Sequence, residues 1–209
     1  MGHYRVLELF SGNGDITKRL NDNYENISCY SVDYNPNYKA EYCEDVYKLK
    51  KYFLKTFDFI WLSPDCTTYS YASHGLHRRK GGVPVSDYAK ECDENNRALI
   101  KKLIELDIPF IMENPRAHMR NMDFTKGLYR TTVYFSTYGA PYAKPTDLFS
   151  NRDLKGFFNE KVTNTGKHLD YVCSNAKDFL GRCRIPQELL KDICEAIVIM
   201  MYNERRTRK

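Results

Sequence analysis

The sequence predicts an α/β protein, a sheet with helices packed on its faces. Short apolar segments alternate with longer ones of helical period. Pro36, Pro64 and Pro115 each fall just after a strand candidate, where a chain leaving a sheet turns. The 209 residues, 42% of them hydrophobic, suffice for one well-filled core and are short for two, so a single domain over residues 1–209 is expected.

Strand candidates cover residues 4–10, 27–32, 57–62, 108–113 and 131–136, with a weaker one at 147–150. Helices are expected over 15–21, 86–106 and 187–203; in the second, Leu99, Leu103 and Leu106 share one face. Residues 151–184 are polar and aperiodic, and read as a long surface excursion. No apolar run approaches the roughly 18 to 20 residues a membrane span requires, and residues 1–10 lack the apolar core of a signal peptide, so a soluble cytoplasmic protein is expected. The seven cysteines are odd in number and form no CxxC pair, which argues against a disulfide framework and a structural zinc cluster. His74 and His77 have no further ligand at suitable spacing, so no metal site is expected. A net charge of +5 permits a polyanionic partner, and His77-Arg78-Arg79-Lys80 and the tail from Arg205 concentrate it.

Two ends of the sheet carry the chemistry. The run Val6-Leu7-Glu8-Leu9-Phe10-Ser11-Gly12-Asn13-Gly14-Asp15 places two glycines between a strand and a helix, so backbone amides can approach a ligand closely. Asp33 ends the next strand nineteen positions after Gly14, where a carboxylate can accept from both hydroxyls of a ribose. Thr17 stands where a dinucleotide fingerprint has its third glycine, and Glu8 disfavours a pyrophosphate. The pattern therefore favours a cationic nucleoside such as S-adenosylmethionine over NAD. After the strand 57–62 comes Ser63-Pro64-Asp65-Cys66, a cysteine at the mouth of the sheet. The strand at 108–112 delivers Glu113-Asn114-Pro115 to the same edge, where a carboxyl emerging from an apolar strand can hold a raised pKa. Thiol and acid would face each other across one cleft.

Phe10–Gly14, Asp33, Glu44-Asp45-Val46, Ser63–Cys66, Glu113-Asn114-Pro115 and Tyr138-Gly139-Ala140-Pro141 stand in the order of the motifs of the cytosine-5 DNA methyltransferases, and the chain resembles that family over residues 6–151. Lys144-Pro145-Thr146-Asp147 makes it similar to small phage-type members. The resemblance implies a Rossmann-like S-adenosylmethionine-dependent methyltransferase fold, with a mixed, mostly parallel sheet. It implies that Cys66 is the thiolate adding to carbon 6 of a flipped-out cytosine and that Glu113 acts at N3. Phe10, Gly12, Gly14, Asp33, Asp45 and Pro64 would hold the cofactor, and Arg78, Arg79, Lys80, Asn114, Arg116 and Lys144 would contact DNA.

The departures are specific. Asp65 replaces the proline usual before the cysteine, an anion expected to raise the thiol's pKa. Lys144 and Thr146 replace the family's paired arginines, and residues 151–184 leave no room for a full target-recognition domain. Recognition would then be short, relaxed or supplied by a partner protein. Arg184-Ile185-Pro186 stands in place of the segment expected before the final helix. These features motivate a second reading, a cofactor-binding regulatory or partner-dependent protein with impaired turnover. An NAD-linked oxidoreductase rests only on the Gly-Asp spacing. Transfer to an exocyclic amino group or to RNA is a further variant, against which the cysteine argues.

Overall fold

The computed structural model describes residues 2–71, 74–161 and 184–207. Seven strands form one sheet: β1 Tyr4–Leu9, β2 Ile27–Asp33, β3 Tyr42–Cys43, β4 Phe59–Leu62, β5 Phe110–Pro115, β6 Tyr129–Tyr134 and β7 Pro145–Ser150. Their spatial order is β3-β2-β1-β4-β5-β7-β6. The pairs from β3 through β5 are parallel, whereas β7 runs antiparallel to both β5 and β6. The helices are α1 Asp15–Asn23, α2 Lys51–Leu54, α3 Asp87–Glu105 and α4 Gln187–Thr207.

Alternation along the strands divides the core in two. Val6, Phe59, Trp61 and Ile111 face the cluster that contains Ile16 and Leu20 of α1 and Leu190, Ile193 and Ile197 of α4. Leu7, Leu9, Ile60, Leu62, Phe110 and Met112 point the other way, onto Leu54 of α2 and Leu99, Ile100 and Leu103 of α3. Each such fully buried aliphatic side chain contributes about 1.5–3 kcal/mol, so both faces of the sheet are apolar and both are covered. Helix α3 matches its expected span because its ends are written locally: Ser86 accepts from the Ala89 amide, and Asp107 at φ 50° closes the other end.

Other boundaries move for tertiary reasons. The strand expected from residue 57 begins at Phe59, because Asp58 is held at the edge, its amide donating to Arg5 O and its carboxylate accepting from the Arg5 amide. Pro115 extends β5 instead of ending it, since β7 pairs through Pro115↔Thr146 and the Arg116 amide donates to Pro145 O. The weak candidate at 147–150 is a six-residue strand between β5 and β6. Phe135 and Ser136, expected at the end of a strand, open a 3-10 turn.

The start of the expected surface excursion is packed. Leu154 and Phe158 belong to the core, the Asn159 amide donates to the Tyr138 hydroxyl, and Thr137 donates to Lys161 O. The excursion from residue 162 to 183, with Cys173 and Cys183, lies outside the described residues. Among the described residues no helix is long and apolar enough to cross a membrane.

Candidate active site

The strand order reverses between β1 and β4, and in open α/β sheets the crevice beyond the carboxyl ends at such a switch point receives ligands. The registers Leu9↔Val32, Leu9↔Leu62 and Leu62↔Met112 bring the ends of β2, β1, β4 and β5 level. Phe10, Asp33 and Ser63 therefore stand along one edge, level with Glu113, which stays within β5 paired to Leu148.

On the β1 side, the loop is built from left-handed backbone: Phe10 at φ 57°, Gly12 at 49° and Gly14 at 68°. A Cβ on Gly12 would meet nothing within 4 Å, so this turn borders open space. Its shape is fixed by Asp33, whose Oδ2 accepts from the Gly12 amide and Oδ1 from the Asn35 amide, both at 2.9 Å. Each of those oxygens keeps a second lone pair for a hydroxyl donor. Ser11 Oγ is buried there with no hydrogen-bond partner, and Tyr34, which the sequence reading passed over, is 75% exposed beside Asp33. Asp45 stands farther out, accepting from the Tyr47 amide and paired with Lys48, while the Tyr47 ring packs on Phe10 with centroids 5.4 Å apart. Glycines that admit close approach, a recessed carboxylate and an orphaned hydroxyl fit a nucleoside.

Glu8 takes a role its sequence position concealed. Gly14 caps α1 without a side chain, and Glu8 supplies the missing acceptor from inside β1: Thr17 donates to it through its amide at 2.8 Å and its hydroxyl at 2.5 Å, and the Ile16 amide donates at 3.4 Å. Burial pushes the Glu8 carboxyl up to about 7, against the pull of the Thr17 and Ile16 bonds. The Ile16 and Thr17 amides, which would otherwise be open to a pyrophosphate at this helix start, are thus already taken by Glu8.

On the β4 side, Pro64 and Cys66 lie at the same edge as β5, and Asn114 Nδ2 ties the two by donating to Pro64 O at 3.0 Å. Cys66 is partly exposed at the head of a turn, its carbonyl accepting from the Tyr69 and Ser70 amides. Asp65 is occupied: Oδ1 accepts from the amide and hydroxyl of Thr67, and Oδ2 from the Tyr88 hydroxyl at 2.7 Å. The anion shapes the turn and is engaged by three donors. Glu113 is half-buried, and desolvation raises its pKa, countered by Lys144 and reinforced by Asp147. Lys144 lies 4.5 Å over the Phe135 ring.

The expected DNA contacts divide. Arg79 and Lys80 are exposed, as is Arg116, which donates to the Tyr134 hydroxyl. Asn114 is 1% exposed and serves as the brace to Pro64, with Oδ1 left unpartnered. Arg78 is 0% exposed, in a bidentate pair with Asp93, so it sits inside the protein and not on a DNA-facing surface. Asp147 is likewise buried, in a bidentate pair with Arg120. His74 and His77 separate: His74 stacks on His118, while His77 bonds the Ser86 cap. Asp93, Asn96, Arg120 and His118 carried no sequence signal, because each acts through a partner more than ten residues away.

No family model matches the sequence, and no curated protein matches it. Among solved structures, the S. pombe Dnmt2 methyltransferase is similar with a TM-score of 0.51 at 17% identity, over 82% of this chain and 55% of that one. The Entamoeba histolytica methyltransferase EhMeth is similar with a TM-score of 0.54 at 14% identity, over 78% of this chain and 57% of that one. The chain thus spans about half the length of the structures it matches. At these identities the likeness is one of fold: a mixed, mostly parallel sheet of the kind these methyltransferases have.

Proposed function

We propose that this chain transfers a methyl group from S-adenosylmethionine to carbon 5 of cytosine in DNA, through a covalent adduct on Cys66. The observation that carries this reading is the bond from Asn114 to Pro64 O, which locks the Cys66 turn to the strand end bearing Glu113, next to a glycine loop that fits a nucleoside. Phe10, Gly12, Gly14, Asp33 and Pro64 would hold the cofactor, with Asp45 at its outer edge. When bound, it supplies an electrophilic methyl group.

The chain's own residues do the rest. The Cys66 sulfur adds to carbon 6, the electron pair of the ring's 5,6 double bond shifts, and Glu113, whose pKa burial raises, would hydrogen-bond or protonate N3 as charge develops. Carbon 5 is then nucleophilic toward the methyl group. A water molecule then takes the carbon 5 proton, the electron pair re-forms the double bond and expels the Cys66 thiolate, and the proton on N3 returns to Glu113. Cytosine in a duplex must first leave the stack; Arg79, Lys80, Arg116 and Lys144 would then meet the DNA, and a partner protein could add sequence recognition.

The test incubates the protein and Cys66→Ser with methyl-labelled S-adenosylmethionine and duplex or single-stranded cytosine-rich DNA, and identifies the labelled nucleoside. Labelled 5-methylcytosine that disappears in the variant is expected. Label on an amino group, or full activity in Cys66→Ser, overturns the reading, and cofactor binding without any labelled base moves it to a regulatory protein.

A further inference from the structure

Arg78 is the most heavily bonded side chain among the described residues, and it lies behind the Cys66 turn. Its Nη1 and Nη2 meet Asp93 at 2.9 and 2.7 Å, Nε donates to Thr68 O at 2.7 Å, Nη2 to the Thr68 hydroxyl at 3.1 Å and Nη1 to Gly82 O at 3.0 Å. The guanidinium lies 4.2 Å over the Tyr69 ring. Thr68 and Tyr69 are the second and third residues after Cys66, and the Tyr69 amide donates to the Cys66 carbonyl at 3.0 Å. Arg78 therefore grips the backbone that forms the turn.

The grip continues inward. The Tyr69 hydroxyl donates to Asp93 Oδ1 at 2.8 Å and accepts from Asn96 Nδ2 at 3.0 Å, and Asn96 Oδ1 accepts from the Tyr47 hydroxyl at 3.1 Å. Tyr47 in turn packs on Phe10 of the glycine loop. A buried ion pair is seldom a net source of stability against apolar replacements, whereas a fully satisfied polar network fixes one arrangement. The turn leads into a surface stretch with Tyr71 60%, Leu76 72% and Val83 57% exposed, while Thr68, Tyr69 and Arg78, each 0% exposed, anchor it from within.

We propose that Arg78, Asp93 and Tyr69 are positioning residues that fix the turn bearing Cys66, and that Asn96 and Tyr47 extend the same hydrogen-bonded chain to Phe10, so that one network holds the nucleophile and the cofactor loop in a fixed relation. The kinetic part of this rests on the methyltransferase reading; the geometric part does not. Tyr69→Phe is the informative variant, since it deletes one hydroxyl and keeps the ring beneath Arg78. Arg78→Lys is its companion, keeping the charge and losing the fork.

Iodoacetamide alkylation, followed by peptide mass spectrometry, reads Cys66 against the exposed Cys43 in the same sample. In both variants Cys66 should react about fivefold faster or more as the turn loosens, with Cys43 within about twofold, while kcat falls about tenfold or more and the KM for S-adenosylmethionine holds within about twofold. An unchanged Cys66 rate, or one that rises in step with Cys43, overturns the proposal. Absence of methyl transfer in the unmodified protein defeats the methyltransferase reading instead, and the alkylation contrast still decides the network.

Discussion

Glu8 shows how one side chain occupies a helix start that could otherwise receive an anion. Its carboxylate caps α1 from the neighbouring strand and is raised to about 7 by burial. A folded-state pKa above the unfolded value means that the native protein binds this proton more tightly. Its contribution to stability is complete below about 4.5 and is lost as pH rises through about 7. Glu8→Gln keeps one acceptor oxygen and cannot ionise, so denaturant unfolding from pH ~5 to ~8 should show a stability decline in the parent that is flatter in the variant. An equal slope in both would remove Glu8 as the titrating group. Glu113 is another raised carboxyl, and in the proposed reaction it would act as an acid. Glu113→Gln should lower kcat by about a hundredfold or more and flatten the loss of rate at high pH, both read in pH–rate profiles. Asp65 joins Thr67 and Tyr88. Tyr88→Phe withdraws one of its donors, and is expected to slow methyl transfer by returning negative charge toward Cys66.

At the scale of elements, the boundaries that hold are those with local signals. Ser86 caps α3 and also holds His77, so Ser86→Ala should cost about 1 kcal/mol in urea unfolding. The β5-β7-β6 edge depends on long-range pairing instead. Arg120 and Asp147 join β7 to the segment after β5, with Asp147 1% exposed. Arg120→Met leaves that buried charge unpaired and should cost about 3–5 kcal/mol. The pair Arg97–Asp123 has the same bidentate form, but its side chains are 46% and 58% exposed. Arg97→Met should therefore cost under about 1 kcal/mol. Burial, not the number of bonds, sets the difference.

Over the whole molecule, α4 closes the sheet face that α1 leaves open, and nine of its side chains are buried. Ile197, 0% exposed in that layer, should cost about 2–5 kcal/mol when cut to alanine. This comes from helix residues nearly 190 positions from the β1 strand they cover. The opposite face, closed by α2 and α3, shares its helix with the Asp93–Asn96 network, so packing there and positioning of the Cys66 turn are mechanically one.

The α/β class, the starts of α1, α3 and α4 to within one residue, and the placement of Phe10–Gly14, Asp33, Cys66 and Glu113 at one sheet edge are legible in the residues alone, although α1 and α4 run two and four residues past their expected ends. Each of those is encoded in period, caps or strand-end position, which act over a few residues. Tertiary contacts alone make Arg78 and Asn114 interior braces, make Glu8 a helix cap, hold Asp65 with Tyr88, and turn the weak strand candidate at 147–150 into the antiparallel β7 between β5 and β6. A charged side chain in a loop reads as surface until its counter-charge is found, and Asp93 stands fifteen residues from Arg78. The physical reason is the same throughout: whether a polar group meets solvent or a partner depends on which distant segment folds over it, and local pattern does not contain that distance.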